Sequence, residues 1–161
     1  KPVIDHFSIS SSVGALAGLL CLVVSIVGVA FGLSPLVFRS DSMAPTIAVA
    51  KMLKRASLQL QDFDFYEIHE AFAAQVLCTL KAWESDEFCK TKLGMDGALG
   101  SIDRSKLNVV GSSLALGHPF AATGARIVAT AAKLLKEKGQ GRVLISICTA
   151  GGMGVAAIVE R

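Results

Sequence analysis

LNVVGSSLALGHPFAATGARIVATAAKLLKEKGQGRVLISICTAGGMGVAAIVER, residues 107–161, changes its apolar period from segment to segment, and those changes decide the fold. LNVVGSSLALGH reads as a strand running into a glycine-containing turn. AATGARIVATAAKLLKEKG reads as a helix with lysines in its last turn and Gly139 as its stop. GRVLISIC is a nearly continuous apolar strand, the pattern of a strand covered on both faces. TAGGMG then turns the chain into a last strand, VAAIVER. Strand, helix and strand followed by a closing hairpin indicate a layered α/β fold.

Working back toward the N-terminus, the same class continues. Pro45 can open a helix, and TIAVAKMLKRASL places Ile47, Ala50, Leu53 and Leu58 near one face, with Lys51, Lys54 and Arg55 elsewhere. DFDFYEIH alternates as a short strand. EAFAAQVLCTLKAW follows as an amphipathic helix with Phe72, Val76 and Leu80 on its apolar stripe. The next stretch, ESDEFCKTKLGMDGALGSIDRSK, is polar and glycine-containing and reads as a surface excursion.

Before residue 44 the chemistry is different. No charged residue occurs between Asp5 and Arg39, and residues 13–38 read VGALAGLLCLVVSIVGVAFGLSPLVF. As a helix this run is long enough to cross a bilayer core of roughly 30 Å, and a buried core helix rarely stays apolar on every face for that length. The expectation is therefore a membrane span over 13–38, with a buried soluble segment as the alternative. Gly14 and Gly18, then Gly28 and Gly32, have the spacing that lets membrane helices approach closely. The expected organisation is a leader over 1–43 and a domain over 44–161.

The formal net charge of +3 lies after the apolar run, since Lys1 and Asp5 cancel. No basic run is dense enough to indicate a nucleic-acid partner. Cys21, Cys78, Cys89 and Cys148 form no CxxC pair and no zinc-ligand spacing, so no metal site is expected and the thiols read as reduced. Arg39, Lys51, Lys54 and Arg55 follow the run closely, and basic flanks stay in the cytoplasm. That places the globular part as membrane-associated and cytoplasmic, or simply cytoplasmic if the leader is not native to it.

Three groups carry chemistry: EIHEAF with His69, LGHPFAATGAR with His118, and ICTAGGMG with Cys148. Each lies where a strand gives way to a turn or helix, where sites form on open α/β sheets. A histidine titrating near neutrality can take a proton from a thiol. A cysteine can act as nucleophile or acid once its thiolate is stabilised, and the glycines after Cys148 let backbone N–H groups approach a substrate oxyanion. The plainer alternative is that the histidines satisfy polar strand ends and Cys148 packs as a small hydrophobe. Cys78, within a helix, and Cys89, in the excursion, read as structural.

In this order the three groups resemble the C-terminal catalytic half of a thiolase, over about 44–161. HEAF is closest to the fatty-acid-degrading branch of that family. The resemblance implies an α/β fold that is an incomplete C-terminal half of a layered thiolase-like structure, here preceded by one apolar transmembrane-like helix. It implies that His118 activates a nucleophilic cysteine and, with His69, forms an oxyanion hole for a thioester carbonyl. Cys148 would move the proton at the α-carbon, the backbone N–H of Ala150 would contribute to a second oxyanion hole, and Ala71 and Phe72 would line the acyl pocket. Acyl-CoA and coenzyme A would be substrates, with no bound cofactor. The acylated cysteine belongs to the other half of a complete thiolase, so the chain is expected to be inactive alone and to form a homo-oligomer or pair with that half.

Two other classes also fit the sequence. The domain could be a membrane-anchored, non-catalytic binding or assembly module. Residues 13–47 also resemble the membrane leader and S-x-S-M-x-P motif of a type I signal peptidase, with Ser42 as protease nucleophile beside Ser40, Met43 and Pro45. No strand downstream resembles one bearing the base that such a serine requires.

Overall fold

The computed structural model describes residues 43–149 and 153–161. The expected span over 13–38, Ser42 and Ala150 lie outside the described residues. Among the described residues no helix is long and apolar enough to cross a membrane.

Helix α1, Ala44–Ala56, begins with Pro45 in its first turn, where a missing N–H costs nothing. It ends on Ser57 in the left-handed region (φ 54°), with Lys54 and Arg55 beside the carbonyl end of its dipole. Strand β1, Phe65–Ile68, leads into α2, Ala73–Trp83. The polar excursion contains α3, Asp86–Leu93, capped by the Ser85 hydroxyl on Phe88 N–H and ended by Gly94. Its one buried residue is Cys89, whose thiol lies against the carbonyls of Ala82 and Trp83, in keeping with a structural role. The short α4, Ser113–Leu116, and the long α5, Thr123–Lys138, precede β2, Arg142–Thr149, and β3, Met153–Glu160.

The sheet order is β1-β2-β3, with β1 parallel to β2 and β2 antiparallel to β3. Because alternate residues face opposite ways, β2 feeds two cores. Leu144 joins Val49, Leu53, Tyr66, Val76 and Trp83 under α1 and α2. Val143 and Ile145 join Ile127, Ala131 and Leu135 of α5 on the other face. The result is a three-layer helix–sheet–helix arrangement. At its tightest point a Cβ on Gly154 would fall on the backbone of Ala44 and Pro45, so this glycine admits the start of α1 to the sheet.

Two local expectations are corrected. LNVVGSS is not a strand: Leu107 makes a single parallel bridge to Tyr66, and Asn108 then turns into the left-handed region (φ 47°). The ladder is continued by a side chain instead. The Asn108 amide accepts from Ile68 N–H and donates to Ile68 C=O, both at 2.9 Å, as a neighbouring peptide would. Phe72 is also not on the apolar stripe of α2. It is the extended residue capping the helix and is 47% exposed, while Val76 and Leu80 face the core as expected.

Candidate active site

Parallel pairing puts the carboxyl ends of β1 and β2 side by side, and both chemistry-bearing strand ends are there. His69 follows the last residue of β1, and its N–H donates to Ser146 C=O of β2 at 2.8 Å. Cys148 lies two residues further along β2. His69 and Cys148 line one shallow cleft with Ile68, Gln75, Val76 and Ser146. Cys148 is half-buried, and burial raises its thiol pKa above the ordinary value, with its own amide and that of Ala71 pulling the other way. Ala71 thus meets the thiol through its backbone, and Phe72 stands outside the cleft.

His118 reaches the same end of the sheet on the loop between α4 and α5. Three polar contacts tie α4 and the turn before it to the end of β1. Glu70 accepts from the Asn108 amide at 2.7 Å and from Leu114 N–H at 3.1 Å, and Ser113 Oγ meets His69 Nδ1 at 2.9 Å. Gly117, at φ 87°, then turns the chain so that the His118 and His69 rings lie 4.3 Å apart between centroids, tilted by 50°. His118 Nδ1 is 2.7 Å from Thr123 Oγ1, whose hydroxyl donates to Pro119 C=O at 3.2 Å.

The two histidines are alike in sequence and unlike in setting. His69 is 3% exposed, and burial, then the neighbouring His118 and Arg126 charges, lower its pKa to about 4 against the pull of Glu70. His118 is on the exposed side, in edge contact with Phe120, which is 86% exposed. At neutral pH the site can therefore offer a neutral, buried imidazole beside a solvent-reachable one, next to a protonated thiol. Among the described residues no group of histidine, cysteine and carboxylate side chains converges as a metal site.

A buried polar cluster under these residues was not anticipated. Glu67 is fully buried with neither carboxylate oxygen hydrogen-bonded, and burial raises its pKa to about 7, against the attraction of Arg126. Arg126 donates through Nη2 to Ser113 at 3.1 Å and Ser112 at 3.5 Å, leaving Nε and Nη1 buried without partners. Both had visible signals. Glu67 interrupts the apolar strand FYEI, and Arg126 puts a cation in the first turns of α5, where the helix dipole disfavours one.

The profile described as "Thiolase, C-terminal domain" matches residues 28–161. The chain belongs to the thiolase family. This thiolase domain is 48% identical to the 3-ketoacyl-CoA thiolase of Shewanella loihica over 124 residues, 77% of the chain and 28% of that relative. It is 51% identical to the 3-ketoacyl-CoA thiolase of Shewanella amazonensis over 118 residues, 73% of the chain and 27% of the relative. Among solved structures it is similar to the acetyl-CoA acetyltransferase of Syntrophomonas wolfei, with a TM-score of 0.61 and 35% identity over 75% of this chain and 28% of that one. The Bacillus anthracis acetyl-CoA acetyltransferase gives a TM-score of 0.58 and 37% identity over 74% and 26%. The thiolase domain thus spans little more than a quarter of the proteins it matches.

The match begins at residue 28, inside the apolar run, and passes through Ser40, Met43 and Pro45. The resemblance of 13–47 to a signal peptidase is not supported. Met43 and Pro45 serve the start of α1, with Pro45 buried against the sheet.

Proposed function

We propose that this thiolase domain supplies the acid–base and oxyanion groups of an acyl-CoA C-acyltransferase that cleaves 3-ketoacyl-CoA with coenzyme A or runs the reverse Claisen condensation. The observation that carries this reading is the pairing of His69 and His118 at 4.3 Å, one ring buried and the other exposed, at the strand ends that also hold Cys148. His118 takes the proton from the thiol that is to be acylated. His69, buried and neutral, donates a hydrogen bond to the thioester oxygen as negative charge develops there. Cys148 is protonated at rest and delivers a proton to the α-carbon on cleavage, or removes one in condensation. The N–H of Ala150 assists at a second oxygen, and the Ala71 amide helps stabilise the Cys148 thiolate. Coenzyme A and acyl-CoA are substrates here, and no bound cofactor is required.

The acylated cysteine comes from a thiolase N-terminal half acting with this domain. The 161-residue chain alone is expected to show no thiolysis of 3-ketoacyl-CoA, with turnover appearing when an N-terminal half from a 3-ketoacyl-CoA thiolase is co-expressed with it. A full rate from the chain alone would sink the assignment of roles, as would a complemented enzyme indifferent to His118→Ala and Cys148→Ala.

An assembly role in the same protein is favoured by a specific feature. Leu114, Leu116, Phe120, Met153 and Val155 are all more than half exposed, although large and apolar. Covering these side chains with the other half, or with a second copy, keeps the domain soluble. The chain alone is expected to self-associate in sedimentation, and a monodisperse monomer would count against this.

A further inference from the structure

We propose that Ser113 and Arg126 fix the tautomer of His69, so that its enclosed Nε2 carries the proton while the neighbouring His118 is held as the opposite tautomer, with its proton on Nδ1. The proposal deepens the functional reading above and rests on it only for what the two rings then do.

One chain of contacts links Arg126 to His69. A guanidinium has donors and no acceptor, and it stays charged at any accessible pH. Arg126 Nη2, 3.1 Å from Ser113 Oγ, therefore makes that oxygen an acceptor. Ser113 is buried and its hydroxyl has one proton to place, with His69 Nδ1 only 2.9 Å away. The hydroxyl donates to Nδ1, and the neutral ring carries its own proton on Nε2. The alternative puts an N–H at Nδ1 as a second donor into Ser113 Oγ, and the buried hydroxyl proton must then find another acceptor. A protonated ring would do the same, and burial with the nearby His118 and Arg126 charges disfavours it.

On the other ring the relay runs the opposite way. Thr123 gives its hydroxyl proton to Pro119 C=O, so its oxygen accepts from His118 Nδ1 at 2.7 Å. That leaves a lone pair on His118 Nε2. Two rings in contact are thus set as one donor and one acceptor, as stabilising an oxyanion and receiving a thiol proton require. His69 Nε2 is buried with no partner among the described residues, so its N–H stands ready for a substrate oxygen. Arg126 and Ser113 are positioning residues: each acts through His69.

The test is a long-range proton–nitrogen correlation spectrum of the full chain labelled with 15N-histidine at neutral pH, assigned with His6→Gln and His118→Gln. His69 is expected to show a protonated, pyrrole-type Nε2 and a bare, pyridine-type Nδ1, and His118 the reverse. Ser113→Ala and Arg126→Met should move the His69 pair to the averaged pattern of two exchanging tautomers, whereas Ser113→Thr, which keeps the hydroxyl, should retain the wild-type pattern. A wild-type His69 with its proton on Nδ1 overturns the proposal, as does an unchanged pattern in both disruptive variants. Should those variants not fold, the wild-type spectrum decides. The readout needs no turnover, so an inactive complemented enzyme showing these tautomers would count against the functional reading and leave the relay standing.

Discussion

The two ends of the β1–β2 pair are built on opposite principles. At the amino ends charged and backbone groups pair with one another. Asp64 accepts from Lys138 Nζ at 2.7 Å and from Arg142 N–H at 2.8 Å, Arg142 pairs with Glu160, and Gly141 and Arg161 exchange backbone hydrogen bonds. At the carboxyl ends buried polar atoms of Glu67, His69, Arg126 and Ser146 have no partner among the described residues. Leaving such groups unmatched costs about 1–3 kcal/mol each, so a fold selected only for stability would not gather them at one place. One end of the sheet pairs its polar groups, and the other leaves buried donors and acceptors unmatched where the proposed chemistry would use them.

The largest effect that could break this contrast is catalytic. In the complemented enzyme, Cys148→Ala or His118→Ala should lower kcat by about 10²–10⁴-fold, the range for losing a general acid or base. The midpoint of urea unfolding should hardly move, because Cys148 is only half-buried and His118 is exposed. A large loss of stability with little loss of rate would reverse the assignment of the two ends.

Glu67→Gln sharpens the contrast from the stability side. The Glu67 pKa is raised from 4.5 to about 7, so its contribution to stability is fully present below pH 4.5 and is lost as pH rises through 7. The variant should gain on the order of 3 kcal/mol over wild type at pH 8, with the gain vanishing below about pH 4.5. His69 has the opposite sign. Its contribution is present above its ordinary 6.5 and is lost as pH falls toward about 4. In wild type the two terms oppose one another between these limits, and removing Glu67 should uncover the His69 slope in urea unfolding across pH 4–8. A variant that is less stable than wild type at pH 8 would show that the carboxylate is paired after all.

Gly154→Ala should destabilise by about 1–3 kcal/mol, because the new Cβ meets backbone at the start of α1 and not the end of a yielding side chain. A neutral result in chemical denaturation would mean that α1 does not approach β3 so closely. The smallest effect belongs to the closed end. Asp64→Asn should cost about 1 kcal/mol at neutral pH, since its carboxylate is partly exposed and one partner is a surface lysine. Lys138 and the Arg142 amide hold the Asp64 pKa below its ordinary 3.8, so this contribution is lost as pH falls through the lowered value. The two unfolding curves should converge in acid, and a difference that grew there would contradict the pairing.

How much of this was legible in the sequence varies with the range of the interaction. The helices over Ala44–Ala56 and Thr123–Lys138 announced themselves by apolar period, with Pro45 marking the start of the first and Gly139 the stop of the second, signals that depend on neighbours within one or two turns. Asn108 did not. Its side chain continues the β1 ladder only because Ile68, 40 positions away, presents both backbone groups to it. Phe72 was misplaced for a related reason, since helical spacing assigns a face but not the residue at which the helix begins. Glycines after Cys148 suggested an anion site, while Gly154 serves the packing of α1, a contact that no local pattern contains.

By itself the sequence determined the α/β class, the three chemistry-bearing groups and their order, because these rest on residue type and short-range spacing. Only the tertiary structure decided that His69 and His118 meet as rings and that Glu70 and Ser113 join α4 to the strand end. It also decided that one histidine is buried near Arg126 and Glu70 while the other faces outward. Protonation state and tautomer follow from burial and from whichever donor lies within about 3 Å, and both are set by residues distant in the chain that the parallel strands bring to one edge.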